Sequence, residues 1–138
     1  MRSDFLIGRW QSPHKGHRWL INQSLEEGRP VLIGIRPMET DENNPFTPEE
    51  VYNMLFHAFA KEIASGMVTL QILMVDIGAV ITGRGVGYDV ISLEEGCPEH
   101  IKRVSATEIR RQIRAGEDGW RGMVMDGVEP WLEAKFSC

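Results

Sequence analysis

Two cysteines in 138 residues, Cys97 and Cys138, are too few and too far apart for a disulfide framework or a four-ligand zinc site. Their expected state is the reduced thiol of a cytoplasmic protein. Long apolar runs are also missing, since none approaches the roughly 20 residues that cross a bilayer. Charge on both sides of Phe5-Leu6-Ile7 speaks against a signal peptide, so no membrane partner is expected. Lysine is scarce, 4 against 11 arginines, and acids outnumber bases to leave a net charge of −5. That balance lacks the general positive field with which proteins hold nucleic acid. Repeats, low-complexity stretches and long linkers are absent too. With 42% hydrophobic residues the chain can build one compact domain over 1–138, with a short helical tail from about residue 117.

The positive charge that is present is unevenly placed. Lys102, Arg103, Arg110, Arg111 and Arg114 crowd one short stretch. The planar guanidinium matches phosphate oxygens two at a time, which a lysine point charge does not. Local arginines in an acidic chain point to a small phosphorylated ligand. A solvated helix face is the plain alternative.

Hydrophobic spacing orders the chain. Phe5-Leu6-Ile7 reads as a buried strand ending at Gly8, and a helix begins at Gly16 with Leu20, Ile21 and Leu25 on one face. Val31 to Ile35 is a second continuous apolar run, as in a strand covered on both faces. After a polar loop over 36–46, Thr47-Pro48-Glu49-Glu50 carries a cap, a proline at the first helical position and a capping box. Val51, Met54, Leu55, Ala58 and Phe59 follow as its core-facing stripe. Further strands are expected at 68–75, 79–82 and 88–92, with the glycine-rich turn 83–87 between the last two. A final helix starts around Thr107 and stops at Gly116. Strand, helix, strand, helix, strand is the order of an α/β fold with a parallel sheet, which takes its ligands at the carboxyl ends of the strands.

The ligand end therefore includes Gly8-Arg9-Trp10-Gln11-Ser12-Pro13-His14-Lys15-Gly16-His17. The first amides of a helix lack partners within it and attract anions. Gly16 would let a phosphate approach them, and two imidazoles three residues apart would face the same side. Zinc is the weaker reading, because further ligands at the right spacing are missing. Acid–base activation of Ser12 lacks an orienting acid, and helix capping by either histidine alone is the bland reading. Ser105 and Thr107 straddle a second helix start, with Arg110 in its first turn; capping and solvated arginines are the alternative there. The glycine-rich stretch 83–87 reads first as a tight turn, lacking the spacing of a phosphate-binding loop, and Arg84 within it is a candidate nucleotide contact because the turn follows a strand at the ligand end.

These three segments in this order resemble the nucleotidyltransferase superfamily that carries an H-x-G-H motif. The stretches at 8–17, 44–50 and 105–116 are similar to nicotinamide-mononucleotide adenylyltransferases of the archaeal type, over residues 4 to 118. The resemblance implies a Rossmann-like, doubly wound nucleotidyltransferase fold and transfer of AMP from ATP to a phosphorylated acceptor, releasing pyrophosphate. It implies His14, His17 and Arg110 as catalytic residues. Gly8, Arg9, Trp10, Gln11, Gly16, Arg84, Ser105 and Thr107 would hold ATP, and Arg36, Asn44, Asp76 and Ile77 the acceptor. Magnesium would arrive with ATP, with no dedicated protein ligands. Nicotinamide mononucleotide is the implied acceptor, and AMP or CMP transfer to another phosphorylated molecule is the alternative within the fold. A nucleotide-binding sensor without turnover is the alternative outside it. The chain departs from the pattern at Asn43, where relatives often carry a basic residue that Arg36 could replace, and in the short segment after Asp76. A short sheet and a tryptophan-bearing tail leave room for a homo-oligomer.

Overall fold

The structure, a computed structural model, describes residues 2–85, 87–93 and 96–136. Three apolar runs become strands β1 (Asp4–Gly8), β2 (Val31–Ile35) and β3 (Val68–Ile72), all parallel and ordered β1-β2-β3. Leu6 lies opposite Ile33, and Ile33 opposite Leu70. Val31, Ile33 and Ile35 of the central strand share one face and are buried against the helices, whereas Leu32 on the other face is half-buried and its neighbours Phe5 and Thr69 are exposed, so the cover expected on both faces is incomplete. The architecture is mixed α/β and Rossmann-like, as expected.

Helix α1 (Lys15–Leu25) crosses from β1 to β2, and α2 (Pro48–Ala58) with α3 (Ala60–Ala64) crosses from β2 to β3. The capping box forms at the start of α2: Glu50 N donates to Thr47 Oγ1 at 3.1 Å, and Thr47 N donates to Glu50 Oε1 at 3.0 Å. Val51, Met54, Leu55 and Phe59 are fully buried, each contributing about 1.5–3 kcal/mol. A cap is worth about 1 kcal/mol. The stripe therefore holds the helix, and the cap decides where it begins. The chain continues through α4 (Glu99–Lys102), α5 (Ala106–Ala115), a 3-10 turn (Gly119–Gly122) and α6 (Glu129–Phe136). Gly116 ends α5 at φ +74°, a conformation that favours glycine.

The strands expected at 79–82 and 88–92 do not form, and β3 stops at Ile72 rather than at residue 75. An apolar run reads the same whether or not a neighbour answers its backbone bonds. Among the described residues no strand pairs with the far side of β1, so β1 is an edge. Met74, Val75, Val80, Ile81, Val90 and Ile91 are exposed in the segment that follows β3. Val86, inside the glycine-rich turn, and Cys138 lie outside the described residues. Cys97 is a free thiol. No helix among the described residues is long and apolar enough to cross a membrane.

The segment after the 3-10 turn clasps the start of α1. His14 pairs with Val124 as an isolated antiparallel bridge, Lys15 N donates to Met123 O at 2.8 Å, and Met125 N donates to Pro13 O at 3.3 Å. Trp120, Val124, Met125, Val128 and Leu132 are buried in the same core as the strands.

Candidate functional site

Several polar residues of the loop between β1 and α1 turn inward. Trp10 is 2% exposed, and its indole Nε1–H donates to Gly34 O at 3.0 Å. A Cβ on Gly8 would stand 3.0 Å from this ring, so glycine is needed there for the indole. Gln11 is stitched to Phe46: its Nε2 donates to the carbonyl at 3.0 Å and its Oε1 accepts the amide at 2.9 Å. Asn44 is buried and donates through Nδ2 to Asp41 Oδ1 at 3.0 Å. Trp10, Gln11 and Asn44, expected as ligand contacts, thus serve the scaffold through their side chains. Loop backbone lacks strand partners, and buried amides and an indole supply the missing ones.

His14 is the N-cap of α1. Its Nδ1 accepts from Gly16 N at 3.0 Å and His17 N at 3.4 Å, while His14 N donates to His17 Nδ1 at 3.1 Å. This is a capping box built from two imidazoles. The rings stack with centroids 3.7 Å apart, 17° from parallel. A Cβ on Gly16 would come within 2.8 Å of the His14 ring, so this glycine makes room for an imidazole. The expected floor of open amides is therefore corrected. Gly16 N and His17 N are taken by His14, Lys15 N by Met123 O, and Arg18 N by His14 O.

That occupancy fixes the chemistry of both rings. Each Nδ1 accepts a backbone N–H, so each neutral ring carries its proton on Nε2 and offers one N–H donor. Burial holds His14 at a pKa of about 4, and burial together with the neighbouring His14 holds His17 well below 6.5. Between pH 6.5 and about 4 the unfolded chain takes up a proton on His14 that the folded protein refuses. Stability is then full above pH 6.5 and falls with pH through that window, by up to about 1.4 kcal/mol per unit for one histidine. Urea midpoints should decline from pH 6.5 to 5, before most carboxylates titrate. A flat profile over that range would count against neutral, buried rings.

At the second helix start, Ser105 Oγ accepts Glu108 N at 3.1 Å, a bond that leaves the hydroxyl hydrogen unused. Arg110, one turn into α5, is 5% exposed. It donates through Nη1 to Gln11 O at 2.7 Å and through Nη2 to Thr107 Oγ1 at 3.5 Å. Among the described residues it has no carboxylate within ion-pair distance. Burial pushes its pKa down, with Arg114 and Arg9 adding to the effect and Asp41 opposing it. Arg111, its neighbour, has the opposite fate: it is exposed and paired with Glu108 at 2.7 Å and Glu117 at 2.9 Å. The solvated-face reading describes Arg111 and fails for Arg110. A buried cation without a counter-ion is costly, and an arriving anion relieves that cost.

A cleft of about 350 Å³ opens at the carboxyl ends of β1 and β2, with Gly8, Arg9, Arg36, Ile77, Gly78 and Val80 among its lining residues. Arg36 grips Asp76 with Nε–Oδ1 at 2.7 Å and Nη2–Oδ2 at 3.0 Å. This fork, with Ile77 N donating to Oδ1 at 2.8 Å, holds the carboxyl below its usual pKa. Arg9, Arg36, Asp76 and Ile77 thus meet around one opening. Arg84 does not join them; it sits in an exposed turn and makes no ion pair among the described residues.

One contributor escaped the sequence reading, and a second was named there only as part of the basic cluster. Asp41 folds the loop after β2 by accepting Asn43 N at 2.8 Å and Asn44 N at 2.7 Å, an Asx turn visible in the spacing of Asp41 and Asn43. Arg114 stands one turn beyond Arg110 and ties that loop to α5 through Glu42 O at 2.9 Å. The i, i+4 spacing of the two arginines was the available signal.

No family model matches the chain. Over 150 aligned residues it is 30% identical to the nicotinamide-nucleotide adenylyltransferase of Methanolobus tindarius, covering 93% of this chain and 86% of that protein. The nicotinamide-nucleotide adenylyltransferase of Methanococcus vannielii is 28% identical over 146 residues, 90% of this chain and 84% of its own length. A match to the protein translocase subunit SecA of Pseudomonas fluorescens, 31% identical over 111 residues, takes in 72% of this chain but 12% of that protein.

Proposed function

Since the chain belongs to the nicotinamide-nucleotide adenylyltransferase family, we propose that it transfers AMP from ATP to the phosphate of nicotinamide mononucleotide, giving NAD and pyrophosphate. It does so as a member of the H-x-G-H nucleotidyltransferases, with His14 and His17 as the two histidines of that motif. One observation carries the phosphate reading: Arg110 is buried, with no carboxylate among the described residues within ion-pair distance, beside a loop that offers two neutral imidazole donors.

In the reaction an acceptor phosphate oxygen attacks the α-phosphorus of ATP, and the bond from that phosphorus to the bridging oxygen of the β-phosphate breaks. The acceptor oxygen is already anionic, so the chain needs neither a covalent nucleophile nor a strong base. Alignment and charge neutralisation remain as its tasks. The Nε2–H groups of His14 and His17 donate to triphosphate oxygens, with His17 nearest the transferring phosphorus. Donors of this kind are worth about 3 kcal/mol of barrier in a water-poor site. Arg110 and Arg9 neutralise charge on the α- and β-phosphates, Ser105 and Thr107 support the same end, and Gly8 lines the cleft while leaving room for the Trp10 ring. Arg36 receives the acceptor phosphate in the cleft, standing in for the basic residue absent at Asn43.

Magnesium fits this reading as a companion of ATP, whose phosphate oxygens are the hard ligands it prefers. The nearby Asp41 and Asp76 are engaged by amides and by Arg36, so the chain contributes cations and N–H donors here rather than an oxygen cage.

The test is incubation with magnesium and ATP or CTP across phosphorylated acceptors, following pyrophosphate and dinucleotide. NAD formation with ATP and nicotinamide mononucleotide is expected. Pyrophosphate from a different acceptor alone would correct the substrate, and ATP binding without turnover on any acceptor would leave a sensor.

A further inference from the structure

Between the strand end and the histidine pair lies a residue that the reaction as described does not use. Trp10 adopts φ +56°, a backbone region rare for any residue but glycine and costly for a bulky aromatic. Its ring is held at two points. The indole N–H bonds Gly34 O of β2, and the plane lies against the Cα of Gly8. On its remaining side it meets His17 edge to face, with centroids 4.5 Å apart and planes 63° apart. His17 in turn stacks on His14. Trp10, His17 and His14 form one column anchored to the sheet through a single indole bond.

We propose that Trp10 is a positioning residue: its ring fixes the orientation and Nε2–H tautomer of His17 from behind, without touching the nucleotide. This rests on the adenylyl-transfer reading for its kinetic consequence but not for its structural one. A flip of the imidazole would turn Cδ2–H toward His14 N and break that bond, so the Nε2–H tautomer lasts only while the ring keeps its orientation. The indole packs edge to face against this ring and restrains its rotation. It also keeps water from the inner edge of His17, which protects the bond from His14 N to Nδ1. His14 is the titratable group that acts on His17, and no carboxylate among the described residues hydrogen-bonds either ring. Trp10 therefore controls this histidine by packing and exclusion of water rather than by charge.

Two variants test this. Trp10→Leu removes the aromatic edge, and Trp10→Phe restores an edge but not the indole bond. The first readout is the NMR titration and tautomer of the His17 ring in the free protein, with near-ultraviolet circular dichroism to confirm folding. In Trp10→Leu the His17 pKa should rise by about one unit toward the ordinary value and both tautomers should appear; Trp10→Phe should lie between. The second readout is steady-state transfer. A kcat loss of about tenfold or more, with KM for ATP changed less than about threefold, and an acid limb moved up in pH, mark a positioning role. An unchanged His17 titration and tautomer in either folded variant overturns the proposal. If Trp10→Leu does not fold, Trp10→Phe decides alone. If the parent protein shows no transfer, the functional reading fails while the NMR result still decides for or against Trp10.

Discussion

Arg110→Met gives a protein that resists denaturant better and no longer turns over. Arginine at this position is 5% exposed and answered by a carbonyl, a hydroxyl at long range and no carboxylate among the described residues. Methionine keeps much of the volume and removes the charge. Leaving Gln11 O without its donor costs about 1–3 kcal/mol, and relief of an uncompensated buried cation returns about 3–5 kcal/mol. The expected gain is therefore about 2 kcal/mol, within a span of roughly 0–4 kcal/mol. Turnover should fall at least about a hundredfold, the scale for losing a charged contact to a transferring phosphoryl group. Tripolyphosphate separates the two effects. At a hundred times its dissociation constant it should raise the parent's stability by about 2.7 kcal/mol and leave the variant unmoved. A variant that is less stable and still stabilised by tripolyphosphate would remove Arg110 from the phosphate site.

His17→Ala should cost kcat a factor of about 10² to 10³, with little change in KM for ATP. The split follows from where the donor acts. A neutral N–H aimed at oxygens that gain charge during transfer is worth more in the transition state than in the ground state. The fold should survive, because the alanine variant loses one cap bond, from His14 N to His17 Nδ1, at about 1 kcal/mol, and ring contacts with His14 and Trp10 worth about 1 kcal/mol each. His14 still accepts the amides of residues 16 and 17. Near-normal kcat in a folded His17→Ala protein would sink the role given to this ring.

Elements whose partners lie within a few residues were legible. Thr47 and Glu50 announce α2 because a capping box closes over three residues, and Gly116 ends α5 because a left-handed residue needs glycine. Val31 to Ile35 reads as a central strand from five apolar residues in a row, although Leu32 on its second face stays half-buried. Residues 79–82 and 88–92 carry strand-like composition, yet pairing is a property of a neighbour, and no spacing within the run reports one. The candidate site divides the same way. His14, His17, Ser105 and Arg110 are visible from helix starts. What was not visible is the direction of each polar group. Trp10 and Gln11 look inward because Gly34 and Phe46, more than twenty residues away, supply their partners. Gly16 serves an imidazole rather than an anion for a related reason: His14 reaches back over its own helix, and only coordinates show the 2.8 Å that a methyl would violate.

The clasp of residues 123–125 on residues 13–15 also bears on how the molecule is made. Synthesis delivers the histidine pair more than a hundred residues ahead of its clasp. Until Met123 emerges, the first amide of α1 lacks its acceptor, and the apolar faces of Trp120 and Val124 have yet to cover the loop. Helix α1 can form on the ribosome, because its turns are local, but the imidazole column cannot acquire its dry surroundings there. The two rings therefore leave the ribosome more than a hundred residues ahead of the segment that dries their surroundings.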